Sequence, residues 1–417
     1  MEEMITYGDR TESSWDKVVR GEVPLDDNDL GELTVGIDFL TDFWQEKYFK
    51  EYIADGGSKL KFITGRRGSG KSHLLRRISS LAEKESFVSV DFSAYNVWLH
   101  DFKEIYLEIL RQCDIESLLR GCADQIIVNM GYDPSNIPAG HAFIDYLSER
   151  GEADALTKRE LRNQLKEMFL DNPRMDNNFA LSCCLLTGSI LGHPMLETQN
   201  RDLLLGWLYC DKTVKLLQIR ALGLSPNRIS KFNARHMLRS LAETVRLAGR
   251  AGLVILIDDL EILLNRSSLQ PMHYTKMRRD DSYESIRQLI DEIDSMHNIM
   301  FLFGFDRELM DNESFGLKSY QALWMRIQNE VVGERYNRFA DIVDLDRLGN
   351  AIYTRETLTE MSEKLAEFAR RNGYEAVSIN RIEAQELLER IRVGNTGLPL
   401  MVNRKTLGLE RGEEDVR

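Results

Sequence analysis

Five short apolar or alternating runs punctuate a chain that otherwise repeats its hydrophobic residues at helical spacing. Leu60 to Thr64, Leu253 to Ile257 and Ile299 to Phe303 are continuous apolar runs, which suits strands buried on both faces of a parallel sheet. Ser86 to Phe92 alternates and is rich in β-formers, and a last strand is predicted near Ala340 to Val343. Between the runs, helices are predicted over Phe39 to Ile53, His73 to Leu81, Phe102 to Leu110 and Asn233 to Gly249. Strands alternating with helices predict an α/β fold with a doubly wound parallel sheet. The region from about 114 to 230 has helical patterns and few β signals, which predicts a large helical insertion between two strands. From Leu348 onward the pattern is helical again, which predicts a small C-terminal, lid-like domain. The organisation read from this is a polar N-terminal arm over 1–30, a sheet domain over 31–348 and a helical domain over 349–417, with Trp15, Val18, Val19 and Leu25 able to anchor part of the arm.

The first predicted strand runs into Gly65-Arg66-Arg67-Gly68-Ser69-Gly70-Lys71-Ser72, and the helix that begins at His73 follows at once. This is a G-x-x-x-x-G-K-S sequence in its strand–loop–helix context, the signature of a phosphate-binding P-loop. Glycines let backbone N–H groups curl around an anion, and the helix N-terminus adds its positive end. Lys71 is expected to reach the β- and γ-phosphates of ATP, and the Ser72 hydroxyl to ligate Mg²⁺. Gly65 to His73 together are the candidate nucleotide-binding residues.

The third run ends in two carboxylates, Asp258 and Asp259, with Glu261 two residues on. Asp258 is the candidate for holding Mg²⁺, and Asp259 or Glu261 for polarising the attacking water. Asp306 and Arg307 follow the fourth run, where a polar residue can sense a γ-phosphate; a simple loop salt bridge is the competing explanation. Arg326, Arg335 and Arg338 precede the last strand. A guanidinium there that reaches a neighbour's γ-phosphate would couple hydrolysis to assembly, and Arg326 and Arg338 are the candidates. That role requires a homo-oligomer.

Charge and composition constrain partners. The 417 residues carry a net charge of −13, so the chain as a whole repels nucleic acid. Basic clusters at Arg66-Arg67, Arg76-Arg77 and Lys276-Met277-Arg278-Arg279 leave local DNA contact open. No apolar run approaches the roughly 20 residues that span a bilayer. The five cysteines lack C-x-x-C spacing, which fits reduced thiols and a cytoplasmic location; the seven histidines form no metal pattern. Cys183 and Cys184 read as small buried hydrophobes.

Several blocks carry a family resemblance: Val19-Arg20-Gly21-Glu22-Val23-Pro24, Thr34-Val35-Gly36, the P-loop continued as His73-Leu74-Leu75, Gly206-Trp207-Leu208, Leu222-Gly223-Leu224, Asn233-Ala234-Arg235, Gly252 to Glu261, and Tyr283 to Asp291. Through them the chain resembles the BREX phage-exclusion ATP-binding family, the BrxD-type proteins and the ATPase part of BrxC. The resemblance implies an AAA+-like ATPase related to origin-recognition and helicase-loader ATPases. It also implies work in bacterial antiphage defence beside a helicase or other DNA-processing partner. Two positions depart from the pattern. The usual Asp-Glu pair is Asp258-Asp259, and Gly397-Leu398-Pro399-Leu400 has Leu400 where the lid often carries a sensing arginine, with Arg404 nearby as a stand-in. These departures, with the acidic net charge, favour an alternative role as a nucleotide-gated signalling switch that assembles an effector without touching nucleic acid.

Overall fold

The computed structural model describes residues 13–24, 26–328, 339–391 and 395–409. Five parallel strands form one sheet: β1 (Ser58–Gly65), β2 (Val88–Ser93), β3 (Leu253–Asp258), β4 (Ile299–Asp306) and β5 (Ile342–Asp344), in the order β2-β3-β4-β1-β5. The α/β class and the parallel sheet expected from the sequence are therefore present. β4 enters between β1 and β3. Its register aligns Gly65 with Asp306 and Ile257 with Phe303, while β2 sets Ser93 beside Asp258. The C-terminal ends of β1, β2, β3 and β4 thus form one row, where an α/β sheet places its ligands.

Side-chain alternation explains why the sheet is covered on both faces. Leu253, Ile255 and Ile257 of β3 join a large core with Phe301 and Phe303 of β4 and the helices between β2 and β3. Val254 and Leu256 point the other way, into a core with Leu74, Leu75 and Ile78 of the Lys71–Lys84 helix and with Trp44, Tyr48 and Phe49. The β2–β3 connection contains helices over Ile115–Asn129, Phe143–Glu149, Ala155–Leu165, Asn177–Leu191, Thr198–Leu208 and Leu216–Arg220. Cys183 is buried among them, and burial pushes its thiol up to about 12, which keeps it protonated and inert. Among the described residues, no helix is long and apolar enough to cross a membrane.

Two further cores lie in the helical C-terminal part. Leu358, Ile379, Ala384, Leu387, Leu398 and Val402 form one. The other joins Leu365, Phe368 and Ala369 of the Arg355–Arg371 helix to Trp15 and Val18 of the Ser14–Val19 helix. The N-terminal segment from Ser14 is therefore packed on the C-terminal helices, where composition suggested a looser arm. Trp15 supplies the reason: it stacks on Tyr374 with ring centroids 4.5 Å apart.

A cluster of charges ties the sheet ends together. Arg307 Nη1 donates to Asp344 Oδ2 at 3.0 Å and lies 3.4 Å from Asp346 Oδ2. Asp346 in turn accepts the Arg66 backbone N–H at 3.0 Å. One guanidinium so links the start of the helix after β4, the end of β5 and the P-loop. The Asp344 and Asp346 side chains are only 11% and 8% exposed, so they need cations at hand; Arg307 serves both, with Arg347 Nε 3.5 Å from Asp344 and Arg66 Nε 3.7 Å from Asp346 as weaker partners. Arg307→Ala is expected to cost about 2 to 3 kcal/mol in chemical denaturation. A loss below about 0.5 kcal/mol, the range of an ordinary surface pair, would contradict the clamp.

Candidate functional site

The loop after β1 turns on glycines. Gly68 and Gly70 have φ of +76° and +94°, a region L-residues rarely adopt, and the Lys71–Lys84 helix starts at once. The loop therefore meets the helix with N–H groups still unpaired. Ser69 Oγ is buried inside it without a partner. Lys71, almost fully buried, donates from Nζ to Asp306 Oδ1 at 2.5 Å and to the carbonyls of Gly65 and Arg66 at 3.3 and 3.2 Å. Ser72 Oγ donates to Asp258 Oδ2 at 2.5 Å. The loop after β1 and the end of β3 are thus in direct contact, although β4 lies between their strands.

Gly304 makes that contact possible. A Cβ on this residue of β4 would stand 2.3 Å from Asp258 Oδ1 and 2.8 Å from Leu75 Cδ1. The Asp258 carboxylate crosses β4 over the only residue type that leaves room for it. An isolated glycine inside the apolar run Ile299–Asp306 was the available signal in the sequence.

The other acids are individually held. Asp259 sits in the left-handed region at φ +63°, uncommon for a non-glycine residue, and its Oδ2 accepts from Ser93 Oγ at 2.5 Å. Asp258 has its carboxyl pushed above the usual range by burial, with Asp259's charge adding to it. Glu261 Oε2 accepts the Asp306 backbone N–H at 3.0 Å, and burial pushes its carboxyl up to about 7. Four carboxylates, Asp258, Asp259, Glu261 and Asp306, line one cleft of about 990 Å³ with Lys71 and Ser72. This density of negative charge attracts cations, but among the described residues no three acid, histidine or cysteine side chains are grouped to hold a metal ion by themselves. Ser72 and Asp258 offer a hydroxyl and a carboxylate already paired, a fitting but partial oxygen set for Mg²⁺, which keeps several ligands as water and phosphate. The orphaned Ser69 hydroxyl and the glycine turn fit a phosphate.

The cleft has a second, apolar wall. Val23, Pro24, Val35 and Ile37 face it from the N-terminal segment, and Tyr353, Met361 and Leu365 from the C-terminal helices. His73 joins this wall to the loop: its Nε2 lies 2.8 Å from Thr34 Oγ1. The Thr34 hydroxyl proton goes to the Leu30 carbonyl at 2.7 Å, so His73 Nε2 must carry the proton and donate. Burial, with the Arg77 charge, lowers the His73 pKa to about 4, so the ring is neutral.

The C-terminal Leu398–Thr406 helix seats directly on the loop. Gly397 N–H donates to Arg67 O at 2.9 Å and Leu400 N–H to Gly68 O at 3.2 Å. A Cβ on Gly68 would lie 2.4 Å from Leu400 Cβ. Leu400, at the place where an arginine was expected, is packed on the loop backbone, and Arg404 lines the cleft one turn on.

The remaining expected residues divide. Arg67 is exposed and lines the cleft, whereas Arg66 donates from Nη1 to Ile391 O at 2.7 Å. Arg326 donates to Asp291 Oδ2 at 2.9 Å and to Ala322 O at 2.7 Å and does not line the cleft. Arg335 and Arg338 fall outside the described residues. Ser93, Gly304 and the apolar wall had not been singled out, because only the strand order brings them to the loop.

A family model described as BREX system ATP-binding protein BrxC/D matches residues 14–407. No curated protein and no solved structure gives a significant match.

Two outcomes follow from the geometry. Gly304→Ala is expected to swing Asp258 off Ser72 while the apolar wall and Lys71 stay in place. Metal-dependent nucleotide affinity should fall roughly tenfold or more, with metal-free affinity nearly unchanged; equal loss in both would point to general unfolding instead. Glu261 gives a pH signature. Its folded proton is held to about 7 whereas the free carboxyl releases it near 4.5, so stability present at low pH declines as pH rises through this window. Glu261→Gln should flatten a decline of up to about 3 kcal/mol between about pH 5 and about pH 8, read by urea denaturation without nucleotide. An unchanged slope would exclude Glu261 as its source.

Proposed function

The chain belongs to the BREX system ATP-binding BrxC/D family, a family of phage defence, and we propose that it binds ATP·Mg²⁺ in this cleft and hydrolyses it to remodel or load a DNA-processing, helicase-type partner. The observation that carries the reading is the Ser72–Asp258 hydrogen bond at 2.5 Å, which unites the loop after β1 with the acid at the end of β3. In this reading 31–348 is the ATPase domain with its helical insertion, and 349–417 a lid over the nucleotide.

Lys71 exchanges its Asp306 partner for phosphate oxygens. The ammonium is pre-positioned by the Gly65 and Arg66 carbonyls, so little ordering remains to be done on binding. Ser72 and Asp258 hold the cation, and the glycine turn directs N–H groups at the anion. Mg²⁺–triphosphate, when bound, supplies the electrophilic phosphorus and neutralises the charge that develops on its oxygens. Val23 and Pro24 on one side and Tyr353 and Met361 on the other would offer the base an apolar surface. Asp259 or Glu261 orients the attacking water: Asp259 from its Ser93 tether, Glu261 from its bond to the Asp306 N–H. Release of Lys71 frees the Asp306 carboxylate to report phosphate occupancy along β4. Leu400 gives the lid a contact with the loop backbone but no charge to offer the γ-phosphate. An arginine from a second copy would supply it in a homo-oligomer; Arg326 would first have to leave Asp291.

A second reading is favoured by the tethering of both acids. With Asp259 on Ser93 and Glu261 on a backbone N–H, turnover is slow, and the ATP state persists long enough to gate an effector as a switch.

Lys71→Ala should abolish ATP binding in a calorimetric titration, because Lys71 is the buried cation held at the loop carbonyls beside Asp306; unchanged affinity would contradict the site. With binding intact, Asp259→Asn and Glu261→Gln are compared in a phosphate-release assay. The true water-orienting acid should show a drop on the order of 100-fold, and two unaffected variants would contradict hydrolysis at this cleft.

A further inference from the structure

A second concentration of unusual chemistry lies away from the cleft, at the start of the Lys276–Glu292 helix. Lys276, Arg278 and Arg279 fill its first turn, and that turn holds no acidic residue. Three cations at the positive end of a helix of 17 residues oppose the helix dipole, so the arrangement is costly unless an anion offsets it. Arg279 is only 3% exposed, and its Nε and Nη1 are buried without a hydrogen-bond partner. A guanidinium buried in that state keeps an uncompensated desolvation penalty. Among the described residues, none of Arg266, Lys276, Arg278 or Arg279 has a carboxylate within ion-pair distance. That is notable in a chain of net charge −13.

Aromatic rings are interleaved with these cations. The guanidinium carbons of Arg266 and Arg279 lie 4.0 and 4.9 Å from the centre of the Phe315 ring, and that of Arg278 lies 4.8 Å over Trp98. Trp98 packs against His100 at 5.2 Å and Tyr274 at 5.4 Å. The Nδ1 atoms of His100 and His273 are also buried without partners. On the same side, Lys231 pairs with Asp281 of the helix at 3.6 Å and carries the neighbouring Phe232, which is 81% exposed. Met277, in the first turn itself, is 75% exposed.

We propose that the first turn of the Lys276–Glu292 helix, with Arg266, Trp98 and Phe315, binds the phosphodiester backbone of single-stranded nucleic acid. The accessible guanidinium groups of Arg266 and Arg278, each held over an aromatic ring, match phosphate oxygens bidentately, and buried Arg279 adds positive charge beneath them. The exposed Phe232 and Met277 offer apolar surface for unstacked bases, which a duplex keeps inside. The site shares no side chain with the nucleotide cleft, so the two readings fail separately. They are nevertheless adjacent in sequence: Trp98 lies three residues after Tyr95, a cleft residue, and Arg266 five after Glu261.

The test measures fluorescence anisotropy of a labelled oligothymidylate of about 20 nucleotides with the full chain, without ATP. Wild type should bind with a log–log salt slope of about −2 to −3, three or four phosphates being neutralised. Lys276→Glu/Arg278→Glu should weaken binding roughly tenfold or more and keep its affinity for a fluorescent ATP analogue, which certifies the fold. Arg266→Ala, at an exposed position, should weaken it several-fold in a background that cannot be blamed on folding. Unchanged strand binding in either variant overturns the proposal. So does equal affinity for a blunt duplex of the same length. Displacement of the strand by inorganic phosphate beyond that by chloride at equal ionic strength would show a free-anion site and overturn it as well.

Discussion

The position of β4 between β1 and β3 is the constraint on which the site depends. A loop that ends β1 and an acid that ends β3 are two strands apart, so a shared ligand requires a side chain to reach across β4. The structure meets this with register and with one missing side chain. Gly65, Asp306 and Asp258 end their strands in one row, and Gly304 leaves the space through which the Asp258 carboxylate reaches Ser72. The apolar layers above and below fix that row rigidly. A site built on such a row is pre-organised, and little of the binding energy is spent on ordering it.

The second dependency runs between the chain's two ends. The N-terminal helix with Trp15 packs on the Arg355–Arg371 helix, and the Leu398–Thr406 helix lies on the P-loop through Arg67 and Gly68. His73, neutral and donating to Thr34, connects the loop helix to the N-terminal wall. The apolar half of the cleft is thus made by the segments that precede β1 and follow β5. Any change in the loop on ligand binding is felt directly by Leu400, and through it by the helices that carry the apolar wall.

Much of this was legible in the sequence. Apolar runs gave the strands, since residues buried on both faces of a parallel sheet show little alternation, and the spacing of Gly65 to Ser72 marked the loop that turns on glycines from β1 into a helix. Asp258 was legible because it ends such a run. The predicted strand ending at Phe303 in fact continues to Asp306, and Gly304 within it is an opening for another side chain. The pairing of Lys71 with Asp306, the Ser93 tether of Asp259 and the Arg307 clamp were not legible. Each joins residues far apart in the chain, and only strand order brings them together. Leu400 was noticed as a departure from a pattern, yet its contact with Gly68 follows from the lid's docking, which no local spacing encodes. Composition alone made the N-terminal segment look loose, because a tryptophan, two valines and a leucine are few apolar residues; the partners of Trp15 and Val18 lie more than three hundred residues on, and Leu25 falls outside the described residues.

The central claim is that Ser72 and Asp258 hold one divalent cation between the loop and the end of β3. A crystal structure with Mn²⁺ and a non-hydrolysable ATP analogue tests it directly, through the anomalous signal of the metal. The account predicts a single strong peak within coordination distance of Ser72 Oγ and near the Asp258 carboxylate, with Lys71 turned from Asp306 to phosphate. A peak elsewhere, or nucleotide bound with Lys71 still on Asp306, would contradict it.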